Sequence, residues 1–158
     1  ETLKERHVML AHCAQSNAAL SSGIMPLRKN LEMGLDCCIA SDVAGSHTVA
    51  MNRHLAMSIE VSKLNWLSHP EEAALTLPEA LYLATKKSGS FFGKVGSFEP
   101  GYEFDALVVE TDDVDGKLPR NPFERLELFV YDGDDRDIKV RYCRGKEVKK
   151  PFDLKDNL

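Results

Sequence analysis

The sequence predicts an α/β fold, with two parallel β/α units and added helices over residues 1–93 and β-rich structure with a short helix over residues 94–158. Two observations predict it. The short apolar runs VMLAHC (8–13) and LDCCIAS (35–41) are each followed by a polar break and then by helical spacing. That is the period of parallel β/α units, whose strands are buried on both faces. The composition then shifts near Gly93, from β/α spacing to strand-like runs.

Each element has a local reason. Residues 8–13 suit a buried strand, closed by Gln15-Ser16-Asn17, which reads as a loop. Ser21-Ser22-Gly23 with Pro26 marks a helix start. Ile24, Leu27 and Leu31 then share one buried face, and Gly34 stops the helix. The second strand, 35–41, ends at Asp42 and the loop Val43-Ala44-Gly45-Ser46. A long helical pattern runs from about Val49 to Leu67. Thr76-Leu77-Pro78-Glu79 is a capping box with proline in the first turn, opening a helix to about Thr85. Past the glycine-punctuated stretch 88–101, Phe104 to Val109 reads as a strand. A polar loop follows, with Asp112, Asp113, Asp115, Gly116 and Pro119. Residues 122–131 (PFERLELFVY) form a short amphipathic helix, and Ile138–Tyr142 pairs with Glu147-Val148 across Arg144-Gly145.

Size and charge bound the function. At 158 residues the chain is one domain or a piece of a larger one. Two β/α units cannot close a barrel, which needs eight strands and about 250 residues. The chain opens on Glu1 and enters regular structure at once, so a fragment of a longer protein is expected. Lys and Arg total 20 against 25 Asp and Glu, a net charge of −5, which offers no footprint for nucleic acid or anionic membrane. No apolar run approaches the ~18 residues of a membrane span, and no signal peptide opens the chain. Cys13, Cys37, Cys38 and Cys143 contain no CxxC and make no disulfide framework, so a reducing, cytoplasmic setting is expected.

Asp42 is the strongest chemical signal, at the C-terminal end of a parallel strand, where β/α folds place catalytic groups. On local pattern alone, a helix N-cap or loop turn is the commoner use of such a residue. At the same end of the preceding strand stands His12-Cys13-Ala14-Gln15-Ser16-Asn17. His12 and Asn17 there suit hydrogen bonding to metal ligands, against the blander alternative of a capped turn with a satisfied histidine. His7, His47, His54 and His69 complete the histidines, with no HxH pair and no HExxH, so the chain cannot assemble a three-ligand zinc site by itself. The glycine-rich stretch 88–96 fits neither GxGxxG nor a phosphate loop, and no GxSxG exists. Asp132 to Asp137 lacks the spacing and terminal Glu of a calcium loop and reads as a solvated turn. Met25, Met33, Met51 and Met57 sit at core-like helical positions.

Five stretches together resemble the C-terminal part of the metal-dependent amidohydrolase superfamily, and its guanine deaminase family in particular. His12 to Asn17, followed by Leu20-Ser21-Ser22-Gly23, resembles the superfamily's HCPxSN…LxSG segment. Ala40-Ser41-Asp42-Val43-Ala44-Gly45 resembles the stretch closing its last barrel strand. Leu75 to Ala80 with Leu83-Ala84-Thr85 resembles its LTLxEx…LAT helix, and Gly96 to Ala106 its GxFExGxEFDA turn and strand. Gly133-Asp134-Asp135-Arg136-Asp137-Ile138, leading to Gly145-Lys146, resembles the guanine deaminase ending.

The resemblance implies the last two β/α units of a (β/α)8 barrel and part of the β-sandwich that flanks it. It implies zinc as cofactor, since a divalent metal lowers the pKa of a water it holds towards 7. Asp42 would be both metal ligand and proton acceptor, with His12, Ser16, Asn17 and Ser41 supporting it. Guanine would be the substrate, giving xanthine and ammonia in purine catabolism, and the full-length protein a cytoplasmic homodimer. Ala14 stands where the pattern has proline, and Ser41 where it commonly has threonine. The superfamily's HxH pair, its catalytic Glu and its guanine-recognition residues have no counterpart here, so this chain alone is expected to be inactive and to need the missing N-terminal part. Its exposed strand edges are expected to make it associate. Two other readings stay open. One is another amidohydrolase, a thiomethyladenosine-type deaminase or a chlorohydrolase; the other is a non-catalytic amidohydrolase-like assembly domain.

Overall fold

The two apolar runs pair as parallel strands in the computed structural model, which describes residues 2–111 and 119–149. After a first turn of helix, α1 (Thr2–Glu5), strand β1 (Met9–His12) lies beside β2 (Asp36–Ile39) with Met9 opposite Asp36 and His12 opposite Ile39. Parallel pairing in this register brings both C-terminal ends to the same edge. Alternation along the strands then sorts their side chains. His12, Cys37 and Ile39 are buried, whereas Ala11 is exposed and Cys38 half-buried. The continuous apolar runs led to the expectation of two covered faces. Among the described residues only one face is covered, because the helices pack on one side.

The helix-covered face carries the core. Cys37 and Ile39 meet Leu27 from α3 (Leu27–Glu32) and Leu55, Ala56 and Ile59 from α4 (Met51–Ser68). Leu77 and Ala80 from α5 (Leu77–Tyr82) complete it, with Leu83 in the π-helical segment Leu83–Lys87 that continues that helix. The capping box forms as expected: Thr76 Oγ1 accepts from Glu79 N, and Glu79 Oε2 accepts from Thr76 N at 2.9 Å. Arg28 clamps the same carboxylate with two bonds of 2.8 and 2.9 Å, which pull the Glu79 pKa down to about 2. Lys87 pairs with Asp36.

The second sheet is antiparallel, in the order β3 (Ala106–Val109), β4 (Ile138–Cys143), β5 (Lys146–Glu147), with Arg144 and Gly145 turning the hairpin at φ 49° and 74°. Helix α6 (Pro122–Tyr131) begins at a second capping box, Asn121 with Glu124. It docks on α4, where Asn52 Nδ2 donates to the carbonyls of Phe129 (3.2 Å) and Gly133 (2.8 Å).

Two local expectations are corrected. The polar run 15–17 is not a loop but part of helix α2 (Ala14–Ala19), which buries Ala14, Gln15 and Ser16. Three alanines favour that helix, and buried partners absorb its polar side chains. The helix expected from Ser21 starts only at Leu27, because Ser21 (φ 54°) and Gly23 (φ 101°) are left-handed. Gly34, at φ 71°, does end it. The loop residues Asp112, Asp113, Asp115 and Gly116 lie outside the described residues. At the acidic turn, Asp134 pairs with Arg136, which holds its carboxyl down at about 2.

Candidate active site

The register of β1 and β2 is what brings two separate stretches together. The chain leaves β1 through Cys13 into α2, and leaves β2 through Ala40 and Ser41 into Asp42. Ser16 thereby meets Asp42 across 26 positions of sequence: its hydroxyl donates to Asp42 Oδ2 at 2.5 Å. Ser16 is 2% exposed, whereas Asp42 stands at the exposed edge. Among the described residues the other carboxylate oxygen of Asp42 has no hydrogen-bond partner.

The turn after Asp42 is tightly built. Asp42 (φ 51°) and Ala44 (φ 78°) are both left-handed, a conformation that costs a residue with a side chain about 1 kcal/mol or more. The Asp42 carbonyl accepts from the amides of Gly45 (2.9 Å) and Ser46 (3.1 Å). Ser46 Oγ reaches the carbonyls of Ser41 (2.5 Å) and Thr48 (3.1 Å). A Cβ on Gly45 would fall 2.5 Å from Asp42 Oδ2 and 2.9 Å from Ser16 Oγ. Gln15 Nε2 lies 3.2 Å from His47 Nε2, a second bond between α2 and this turn. Burial pushes the Cys13 thiol pKa up, and the nearby charges of Asp42 and Cys38 push it further, so the thiol stays protonated.

The other residues singled out from sequence lie elsewhere. His12 points to the helix side of β1, 2% exposed, beside a cavity of about 320 Å³ that Met25, Met57 and Val61 help to line. Burial lowers its pKa to about 4, so it is neutral, and its Nδ1 has no partner among the described residues. Asn17 binds Ser22 through its carbonyl oxygens rather than reaching Asp42. Ser41 contributes its main-chain carbonyl to the turn. A larger cavity of about 820 Å³, between Tyr82, Phe92, Phe98 and the second sheet, is not lined by any residue of the Asp42 turn. Sequence reasoning missed Gln15, Gly45 and His47. The only available signal was their place inside or beside the two quoted motifs. Among the described residues no three His, Cys, Asp or Glu side chains converge as a metal site.

This chain belongs to the amidohydrolase family, whose model matches residues 1–148. Guanine deaminases are prominent among what it resembles. It is 45% identical to the guanine deaminase of C. acetobutylicum, solved with guanine bound in the active site, at a TM-score of 0.86 over 93% of this chain and 35% of that one. The guanine deaminase of Homo sapiens is 32% identical over 91% of this chain and 34% of its own length. The 5-methylthioadenosine/S-adenosylhomocysteine deaminase of Aquifex aeolicus is 33% identical over 98% of this chain and 35% of its own. An adenosine deaminase from Xanthomonas campestris, solved with bound zinc, shares the fold at a TM-score of 0.75 and 21% identity, covering 92% of this chain and 33% of that one. The chain thus has an amidohydrolase fold of mixed α/β content and spans about a third of the length of the curated relatives it matches.

Proposed function

We propose that the chain is the C-terminal portion of a zinc-dependent guanine deaminase, which converts guanine and water to xanthine and ammonia. The observation that carries this is the Asp42 carboxylate at the joint C-terminal ends of two parallel strands, one oxygen held by Ser16 and the other unpaired among the described residues. The 45% identity with a guanine-bound guanine deaminase supports the substrate.

The residues present fit one arm of a zinc site. A carboxylate oxygen is a normal zinc ligand, and with Oδ2 engaged by Ser16, where a Cβ on Gly45 would collide with it, the other oxygen of Asp42 is left unpaired among the described residues. The remaining arms are ascribed to residues outside this sequence, since none converge here. When bound, zinc supplies a water acidic enough to react at neutral pH. Asp42 would hold the ion through the oxygen that Ser16 leaves free, and its carboxylate would serve as the proton acceptor. Ser16 keeps the opposite oxygen engaged, Ser41 and Asn17 brace the two backbone turns, and neutral His12 ends β1 beside the cavity that Met57 and Val61 of α4 help to line. The isolated chain, lacking the other ligands, is inactive.

In architectural terms, residues 1–93 are read as the last two β/α units of a (β/α)8 barrel, and 94–158 as part of the adjoining β-sandwich. The open face of β1 and β2 supports this, because a barrel strand turns one face to the helices and the other to the barrel interior. Four free cysteines support a reducing, cytoplasmic setting. The homodimer implied for the full chain is tested by light scattering.

The likeness to the Aquifex aeolicus deaminase favours a second reading, deamination of a 5′-modified adenosine. Ammonia release from the zinc-loaded full chain separates the two. Guanine is expected to be preferred over adenosine derivatives and chlorotriazines. Preference for methylthioadenosine would replace the first reading with the second.

A further inference from the structure

Asp42 is an exposed side chain on a short stem, yet a carboxylate that shares a metal must keep one oxygen aimed. We propose that Ser16 and Gly45 are positioning residues that lock the Asp42 carboxylate, with the Gln15–His47 bond as a second brace; this rests on the reading of Asp42 as a metal ligand. The Ser16 hydroxyl is too buried to turn to solvent, so it keeps donating to Asp42 Oδ2, the two oxygens 2.5 Å apart. Gly45 is glycine for space rather than for backbone freedom. It is not among the left-handed residues, unlike Asp42 and Ala44 before it, so any residue could adopt its backbone. What a side chain would displace is the carboxylate itself: a Cβ would meet Asp42 Oδ2 at 2.5 Å, Ser16 Oγ at 2.9 Å and Asp42 Cγ at 3.0 Å. All three atoms belong to the locked pair.

The strained turn explains why two braces are present. Left-handed Asp42 and Ala44 persist only where their surroundings hold them. Adjacent residues of α2 supply that hold at two points, Ser16 at the first residue of the turn and Gln15, 8% exposed, at His47. Helix α2, buried in the fold at Ala14, Gln15 and Ser16, therefore transmits its rigidity to the carboxylate.

The test uses the full-length protein carrying Ser16→Ala, Gly45→Ala or both, with Asp42→Ala as reference. Zinc affinity is read by competition with a chromophoric chelator, the ligand field by the visible spectrum of the Co²⁺-substituted protein, and fold integrity by melting of the metal-free protein. Ser16→Ala is expected to weaken zinc roughly 10- to 100-fold and alter the cobalt spectrum while the metal-free protein melts like the parent. Gly45→Ala is expected to weaken zinc at least as much, and the double variant no more than Gly45→Ala alone, because both act on one contact. Ser16→Ala carries the test by itself if Gly45→Ala fails to fold, since it removes an atom and adds none. Parental zinc affinity and an unchanged cobalt spectrum in Ser16→Ala, with affinity lost in Asp42→Ala, would overturn the positioning role and leave the ligand reading intact. Parental affinity in Asp42→Ala would overturn both.

Discussion

The two faces of the β1–β2 pair follow different rules although they share eight residues. Toward the helices, Cys37 and Ile39 are nearly inaccessible and meet aliphatic side chains from α3, α4 and α5. Toward the other side, Ala11 is exposed and Cys38 only half-buried, and the strand mouth ends in a strained polar turn around Asp42. The first face is stabilised by burial of apolar area. The second is held by a few directed hydrogen bonds, and among the described residues no three metal-binding side chains converge there. A strand pair can therefore be covered on one face only and still present a carboxylate in a fixed place.

Substitutions on the two sides should differ in kind. The largest effect is expected at the mouth: on the proposed reading, Asp42→Asn in the full chain would remove a negative ligand and a proton acceptor, and should lower kcat about 10³-fold or more with little change in melting temperature. Activity within a few-fold of the parent would erase the functional difference between the faces. On the helix side, Ile39→Ala should do the reverse. A cavity beneath α4 should cost about 2–5 kcal/mol in denaturant unfolding, with the zinc site intact in whatever protein remains folded.

A smaller effect sharpens the comparison through pH. His12 belongs to the helix side and is held neutral there, its pKa lowered from 6.5 to about 4 by burial. The folded protein thus binds fewer protons than the unfolded chain between these values. The stability this group contributes is complete above pH 6.5 and is lost as pH falls through about 4. Unfolding curves of the parent and of His12→Gln should diverge over that window by up to about 3 kcal/mol, the parent losing more on acidification. Parallel curves would show that His12 is not buried as described.

The same contrast governs how much was legible beforehand. Helix α6 falls on residues 122–131 as expected, and α5 begins where Thr76 and Glu79 announce it, because capping boxes are local and their partners lie three residues apart. The parallel strands and the 138–147 hairpin also follow from local patterns. Helix α2 was hidden because its polar residues are buried by partners far along the chain, Ser16 by Asp42 and Gln15 by His47. Asp42 could be singled out from its place after a strand. That His12 turns to the helices depended on strand phase, and that Gly45 makes room for a carboxylate depended on a contact no spacing rule describes.

The most direct measurement is anomalous diffraction at the zinc edge from crystals of the full-length protein. The account predicts a zinc peak about 2.0–2.2 Å from one Asp42 carboxylate oxygen, with Ser16 on the other. A zinc bound elsewhere, with the Asp42 carboxylate turned away from it, would contradict the account.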